Sequence, residues 1–226
     1  MTHRLIRDLS LGLIASFSGL ALSACGPVDT QGVHDGRAHG VQATAPALEI
    51  ASDCDRDAPA ATLHDAYGTA IGRVSFQSDG ETTLVEIAAQ LPPELAGIHG
   101  MHIHANDKPE NGEGCVADPA QPASTHFVSV DGHYNPHAGS HGHHVGDLPA
   151  VFFSHAGEAS MRFLTDQFQA EELIGRAVIL HELPDNYGNV PVGDAPNQYT
   201  PNDVAATDAT AATGNAGARV GCGVIE

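Results

Sequence analysis

Between residues 133 and 147 the sequence reads HYNPHAGSHGHHVGD, five histidines and one aspartate in fifteen positions. Neutral imidazole is the commonest protein donor to transition metals, so the chemistry these residues suggest is metal binding. A tract alone does not make a site. Its partners are sought at spacings that would bring further donors together. His102 and His104 stand two apart in GIHGMHIH, residues 97–104. A strand's period of two would turn both rings to one face and Met101 and Ile103 to the other. His133, His141, His144 and Asp147 lie in irregular sequence, where three nitrogens and one carboxylate would close a tetrahedral shell of the kind structural zinc prefers. All-imidazole donors with an open position suit copper, whereas calcium and magnesium want oxygen. No Ser-His-Asp set, phosphate-binding glycine loop or paired-carboxylate motif competes.

The elements that must position these residues are short strands bounded by Gly, Pro and Asp. ATLHDAYGTAIGRVSF (61–76) reads as two strands around an Asp-Ala-Tyr-Gly turn, and TTLVEIAAQL (82–91) follows with β-branched residues. Then come GIHGMHIH, AVFFSHAGEASMRFL (150–164) with a turn at Ala156-Gly157, GRAVILHEL (175–183) and the tail ARVGCGVIE. This spacing predicts an all-β fold, an antiparallel barrel or sandwich. DQFQAEELIG would add one helical turn or two, and no long helix is expected. Two long loops, 105–147 and 182–218, remain between strands. Loops of that length in a compact domain are normally functional.

The chain has 226 residues, only 5% of them aromatic, with 25 Gly and 14 Pro, which fits one ordinary domain plus non-globular segments. Its formal charge of -19 excludes nucleic acid or an anionic membrane face as partners, since both need surplus Lys and Arg. His3, Arg4 and Arg7 precede the apolar run LSLGLIASFSGLAL, too short to span a bilayer and suited to a signal peptide over 1–24. The run ends in LSAC (22–25), which resembles the bacterial lipoprotein box with Cys25 as the lipidated residue. Removing Arg4, Arg7 and Asp8 with the signal, a net +1, takes the charge from -19 to -20. Residues 25–59 carry no periodicity and read as a flexible tether. His34 and His39 fall there as solvated residues. The domain is then 60–226.

GIHGMHIH, HYNP, HVGDLP, GRAVILHE, PDNY and GNAGARVGCGVI, in that order, resemble the copper,zinc superoxide dismutase family, specifically its exported bacterial members, from about Ala61 to the C-terminus. The resemblance implies a Greek-key antiparallel β-barrel of about eight strands and conversion of superoxide to dioxygen and hydrogen peroxide by Cu(II)/Cu(I) cycling. It places copper on His102, His104, His133 and His181, and zinc on His133, His141, His144 and Asp147, with His133 bridging. Asp185 would hydrogen-bond a copper histidine and a zinc histidine together, and His99 would be structural. Cys115 and Cys222 would form a disulfide. Arg219 would guide the anionic substrate, with His133 as the other catalytic residue; Lys108 is left out of the site. The stretch between His141 and His144 is shorter than in the family, so His137 or His143 is an alternative zinc ligand. Cys54 and the insertion 190–213 are left without a role. A copper-only dismutase and a non-catalytic copper- or zinc-binding envelope protein are the alternative functions. The expected location is the bacterial cell envelope, on its periplasmic or extracellular face. Membrane contact would be made only through the N-terminal lipid, and a homodimer is one of the oligomeric states the family offers.

Overall fold

The computed structural model describes residues 58–187 and 204–226, the side chains of 204–206 excepted. Signal, Cys25, tether, Cys54 and most of the insertion lie outside the described residues. Among the described residues nine strands run in chain order: β1 (Ala60–His64), β2 (Ala70–Asp79), β3 (Thr82–Gln90), β4 (Gly97–His99), β5 (Met101–His104), β6 (Val151–Phe153), β7 (Glu158–Thr165), β8 (Ala177–His181) and β9 (Arg219–Val224). Each pairing between them is antiparallel. The larger sheet has the order β5-β8-β9-β1-β2-β3-β7, and β4 pairs with β6.

Nine strands appear where about eight were expected because Gly100 divides one of them. The amide of Gly100 donates to Leu183 O at 2.9 Å while its carbonyl accepts His181 N at 2.9 Å, so β4 and β5 run on through it as one bent ribbon. That ribbon joins the small sheet to the large one. Non-consecutive neighbours β3–β7, β5–β8 and β1–β9 give the Greek-key barrel connections.

Local chemistry explains the turns. Asp65 Oδ1 accepts the amides of Tyr67 at 2.9 Å and Thr69 at 2.8 Å and closes the β1–β2 turn. At the β6–β7 turn Gly157 has φ +80°, and a Cβ there would overlap the carbonyl of Leu91. Only glycine fits both demands. Along β3 the inward residues Thr83, Val85, Ile87 and Ala89 are buried and alternate with partly exposed ones, the period-two pattern of a sheet with one face in the core.

β5 and β8 depart from that alternation, for every residue in both is buried. Their inner side chains, Met101, Ile103, Val178 and Leu180, enter the main core. On the outer face Ala177 and Ile179 pack with Phe127, Val130 and Cys222 in a second cluster, two of whose members come from the 105–147 loop. The loop therefore covers the outside of the barrel and gives β5 a second buried face. A disulfide from Cys115 in the loop to Cys222 in β9, with 5.7 Å between Cα atoms, pins it there.

One expectation is corrected and another is met. The 182–218 stretch is not all loop: it contains α1 (Val204–Thr213), ten residues of which five are Ala. Alanine's helix propensity carries this segment without any apolar periodicity to announce it. It ends at Gly214, φ +66°, whose amide donates to Thr210 O at 3.1 Å. In DQFQAEELIG, a single 3-10 turn forms over Ala170–Leu173, closed by a capping box between Gln169 and Glu172.

The disulfide closes a sequence separation of 107 residues. Chain entropy puts its contribution at up to about 4–5 kcal/mol. A Cys115→Ala/Cys222→Ala variant, prepared metal-free, is expected to lose about 3–4 kcal/mol in urea unfolding relative to the oxidised wild type. A loss under about 1 kcal/mol would mean that the second cluster holds the loop unaided.

Candidate metal centre

The site is built on the outer face of β5. Register pairs His102 with Ile179 and His104 with Ala177, so both histidines point away from the core, as their spacing implied. His181 ends β8 on the same face and pairs with Arg219 of β9 across a bulge at Leu180/His181.

The loop returns twice to the free edge of β5. Tyr134 N donates to Ile103 O at 2.8 Å, Ile103 N donates to Gly146 O at 2.8 Å, and Gly146 N donates to Tyr134 O at 2.9 Å. These bonds set His133 opposite His104 and Asp147 opposite His102. A Cβ on Gly146 would overlap the Ile103 carbonyl, so this close approach requires glycine.

Hydrogen bonds on one side of each ring decide what the other side can do. His102 Nε2 lies 2.9 Å from Asp185 Oδ1, and His104 Nδ1 donates to Asp131 O at 2.8 Å. His181 Nδ1 donates to Gly217 O at 3.3 Å. His133 Nδ1 faces Asp147 Oδ1 at 2.8 Å. The opposite nitrogens, His102 Nδ1, His104 Nε2, His133 Nε2 and His181 Nε2, are buried with no hydrogen-bond partner. Donor atoms of these four residues lie within 4.8 Å of one another.

A second pocket adjoins the first across the ring of His133. Donor atoms of His102, His133, His141 and Asp147 also lie within 4.8 Å of one another. His102 belongs to this set by proximity, but its Nε2 is engaged with Asp185. His144 is the better fourth member: its Nδ1 is 3.1 Å from His133 Nδ1 and 3.2 Å from Asp147 Oδ1, while its Nε2 donates to Gly139 O at 3.1 Å. His141 Nδ1 approaches Asp147 Oδ1 at 3.3 Å. His141 and His144 are buried, whereas His137 and His143 are exposed and stay outside the pocket.

Burial keeps the imidazoles neutral, the form that ligates metals. It draws His102 and His104 well below the ordinary histidine range, with the neighbouring His133 and Arg219 respectively adding to the effect. His133 is lowered chiefly by burial, and His181 is lowered to about 3 by burial and by His102. Burial would raise Asp147, but the hydrogen bond from His133 and the close approach of the His141 ring outweigh it and hold the carboxyl well below the usual range. Asp185 is raised by burial, against the opposing pull of His141 and His181.

The remaining expected residues also have defined places. Asp185 Oδ1 bonds His102 and stands 3.6 Å from His141 Nε2, so it lies between the two pockets. The Arg219 guanidinium donates to Phe127 O, and at 2.6 Å to Asp131 O, the carbonyl that also holds His104. His99 is spent on the backbone carbonyls of His181 and Leu95 and packs edge-on against Phe153. Lys108 is exposed at the loop surface.

Two contributors were missed. Asp131, at φ +65°, accepts the amides of Asp107 and Lys108 and the side chain of Asn111, locking the turn whose carbonyl serves both His104 and Arg219. Tyr187 stacks on His141, ring centroids 5.2 Å apart and planes 18° apart, and its hydroxyl donates to Asp185 Oδ2 at 3.3 Å. Burial and the Asp185 charge push this hydroxyl up to about 12. Neither residue carries a spacing signal. Tyr187's position two residues after Asp185 is the only hint.

An antiparallel barrel with two adjoining donor pockets that share one imidazole defines a β-barrel metalloprotein. The copper/zinc superoxide dismutase (SODC) family model matches residues 70–225, and the chain belongs to that family. The superoxide dismutase [Cu-Zn] of Mycobacterium tuberculosis is 30% identical over 237 aligned positions, covering 99% of this chain and 95% of that protein. The extracellular superoxide dismutase [Cu-Zn] of Caenorhabditis elegans is also 30% identical, over 69% of this chain; the match spans 60% of the nematode protein's length. The fold is shared with the Cu/Zn superoxide dismutase of Brucella abortus, TM-score 0.50 and 21% identity, over 74% of this chain and 98% of that one.

Acid should destabilise the metal-free protein. His181 titrates near 3 when folded against an ordinary value of 6.5, so the unfolded chain takes the proton first and stability falls as pH drops through that interval. At pH 5 this one residue accounts for roughly 2 kcal/mol relative to pH 7.5. His102, His104 and His133 act in the same direction, as Asp147 does below the ordinary carboxylate value; Asp185, shifted upward, offsets part. Urea unfolding of the metal-free protein between pH 7.5 and 5 is expected to show stability declining by at least that amount. A flat profile would contradict the burial of these rings.

Proposed function

We infer that this protein is a superoxide dismutase. It would hold copper on His102 Nδ1, His104 Nε2, His133 Nε2 and His181 Nε2, and zinc on His133, His141, His144 and Asp147. The observation that carries the reading is the convergence of four buried nitrogens without partners, beside a guanidinium that shares a carbonyl with one of them. Buried polar atoms are normally satisfied, and a cation satisfies these. Soft-to-borderline nitrogen donors suit copper in the first pocket, and three nitrogens with a carboxylate suit zinc in the second.

Copper supplies the one-electron couple by which two superoxide ions and two protons become dioxygen and hydrogen peroxide. The chain's own groups bind, orient and protonate. Arg219 draws the anion in and holds it beside His104. His133 keeps Nδ1 toward Asp147 and His144, leaving Nε2 as the atom able to take up and return a proton. Asp185 fixes the His102 tautomer and sets Nδ1 free. All these ligands and Arg219 come from one chain, so the site needs no second copy. The alternative of a copper-only enzyme is disfavoured by the joint burial of His141 and His144 beside Asp147.

The protein is exported on this reading, since its disulfide suits an oxidising compartment. Cys25 would carry the lipid that tethers it to the cell envelope.

Metal analysis of the full chain should find about one copper and one zinc per chain, with superoxide consumption lost on chelation and regained on copper addition. Arg219→Gln is expected to keep its copper and slow superoxide consumption by about 10-fold, with a flatter dependence on ionic strength. Unchanged turnover in that variant would remove Arg219 from the mechanism, and metal uptake without turnover in the wild type would favour the non-catalytic binder. Metabolic labelling with radioactive palmitate should mark the wild type and spare Cys25→Ser; equal labelling of the two would refute the anchor.

A further inference from the structure

His141 stands apart from the other histidines of the two pockets. His102, His104, His133, His144 and His181 each have one ring nitrogen hydrogen-bonded to a carboxylate or a backbone carbonyl. Neither nitrogen of His141 has such a bond, although both are buried. Its Nε2 is 3.6 Å from Asp185 Oδ1, beyond hydrogen-bonding reach. Only Gly142, at φ +91°, and His143 separate it from His144, so the backbone around it has little stiffness of its own.

What orients the ring is packing. The rings of His102 and His133 meet it edge-on at 5.3 and 5.4 Å, and neither prevents it from sliding outward. Among the described residues the one parallel contact is Tyr187, whose ring lies 3.4 Å from where a Cβ on Gly142 would sit. Behind it, the His141 amide donates to Ala211 O in α1 at 2.8 Å, and a side chain at Gly214 would strike His141 Nε2. The ring thus sits in a slot between the end of α1 and the face of Tyr187.

We propose that Tyr187 is a positioning residue for the second metal pocket: its ring, by stacking, holds His141 with Nδ1 turned toward Asp147. The inference rests on the reading of that pocket as the zinc site. The hydroxyl is secondary, since its bond to Asp185 is 3.3 Å long and half of the tyrosine is exposed.

The test uses the full chain loaded with copper and zinc, as wild type, Tyr187→Phe, Tyr187→Leu and Tyr187→Ala. Three quantities are read: the rate of zinc release to a chromogenic chelator, the visible spectrum of Co(II) bound in place of zinc, and the melting temperature of the metal-free protein. Leu and Ala are expected to release zinc about 10-fold faster and to change the Co(II) bands, with metal-free melting little altered. Phe should stay within about 2-fold of wild type, because it keeps the ring. Wild-type release and an unchanged Co(II) spectrum in both Leu and Ala would overturn the proposal. So would Phe behaving like Leu, which would transfer the role to the hydroxyl. A wild type that takes up copper but no zinc or Co(II) would instead refute the zinc reading itself, and the inference with it.

Discussion

The structure depends on burying imidazoles that the protein itself does not satisfy. An unpartnered buried polar atom costs about 1–3 kcal/mol, and His102, His104, His133 and His181 each present one. No group of the chain relieves that cost, although β5 and β8 are covered on both faces, by the core within and the long loop without. The fold therefore accumulates a polar debt at one spot, which a cation offsets. Loop, disulfide and bulge all serve to hold those rings together. Metal binding and loop closure consequently stabilise each other, and acid, which charges the same rings, opposes both.

How much of this was legible follows from which residues obey a short period. H-x-H on a strand announced its own geometry, because period two leaves no choice about which way His102 and His104 face once Met101 and Ile103 are in the core. The strands were readable for the same reason. Selection within the histidine tract was not: His137, His141, His143 and His144 are chemically alike. The choice falls to partners of the backbone, the distant Ala211 O on the amide of His141 and the local Asp147 Oδ2 on the amide of His144 at 3.1 Å. α1 escaped notice because an Ala- and Thr-rich helix has no apolar stripe, although its end forms one wall of the His141 slot. Tyr187 lay inside a motif matched to the family, yet a stacking role depends on a face-to-face approach that spacing does not encode.

Charge poses the last constraint, since an anion must reach the site of a chain with net charge -19. The described residues hold five Lys and Arg, and two of them are engaged away from the site. Arg162 lies 3.4 Å from Glu86, and Arg176 sits 3.5 Å over the Tyr134 ring while donating to the Ala105 carbonyl. Arg219 is held beside the copper pocket. Its hydrogen bonds go to the neutral carbonyls of Phe127 and Asp131, which orient the guanidinium without cancelling its charge. The nearby Asp131 carboxylate is occupied by two amides and Asn111, which disperse its negative field. A carboxylate partner would have fixed Arg219 as firmly and left nothing for a substrate. Fixing it by carbonyls keeps a positive focus beside His104, in a partly buried setting where screening by salt is weakened. Because the same Asp131 carbonyl also holds His104 Nδ1, any displacement of this turn moves the anion's guide and a copper-pocket ring together.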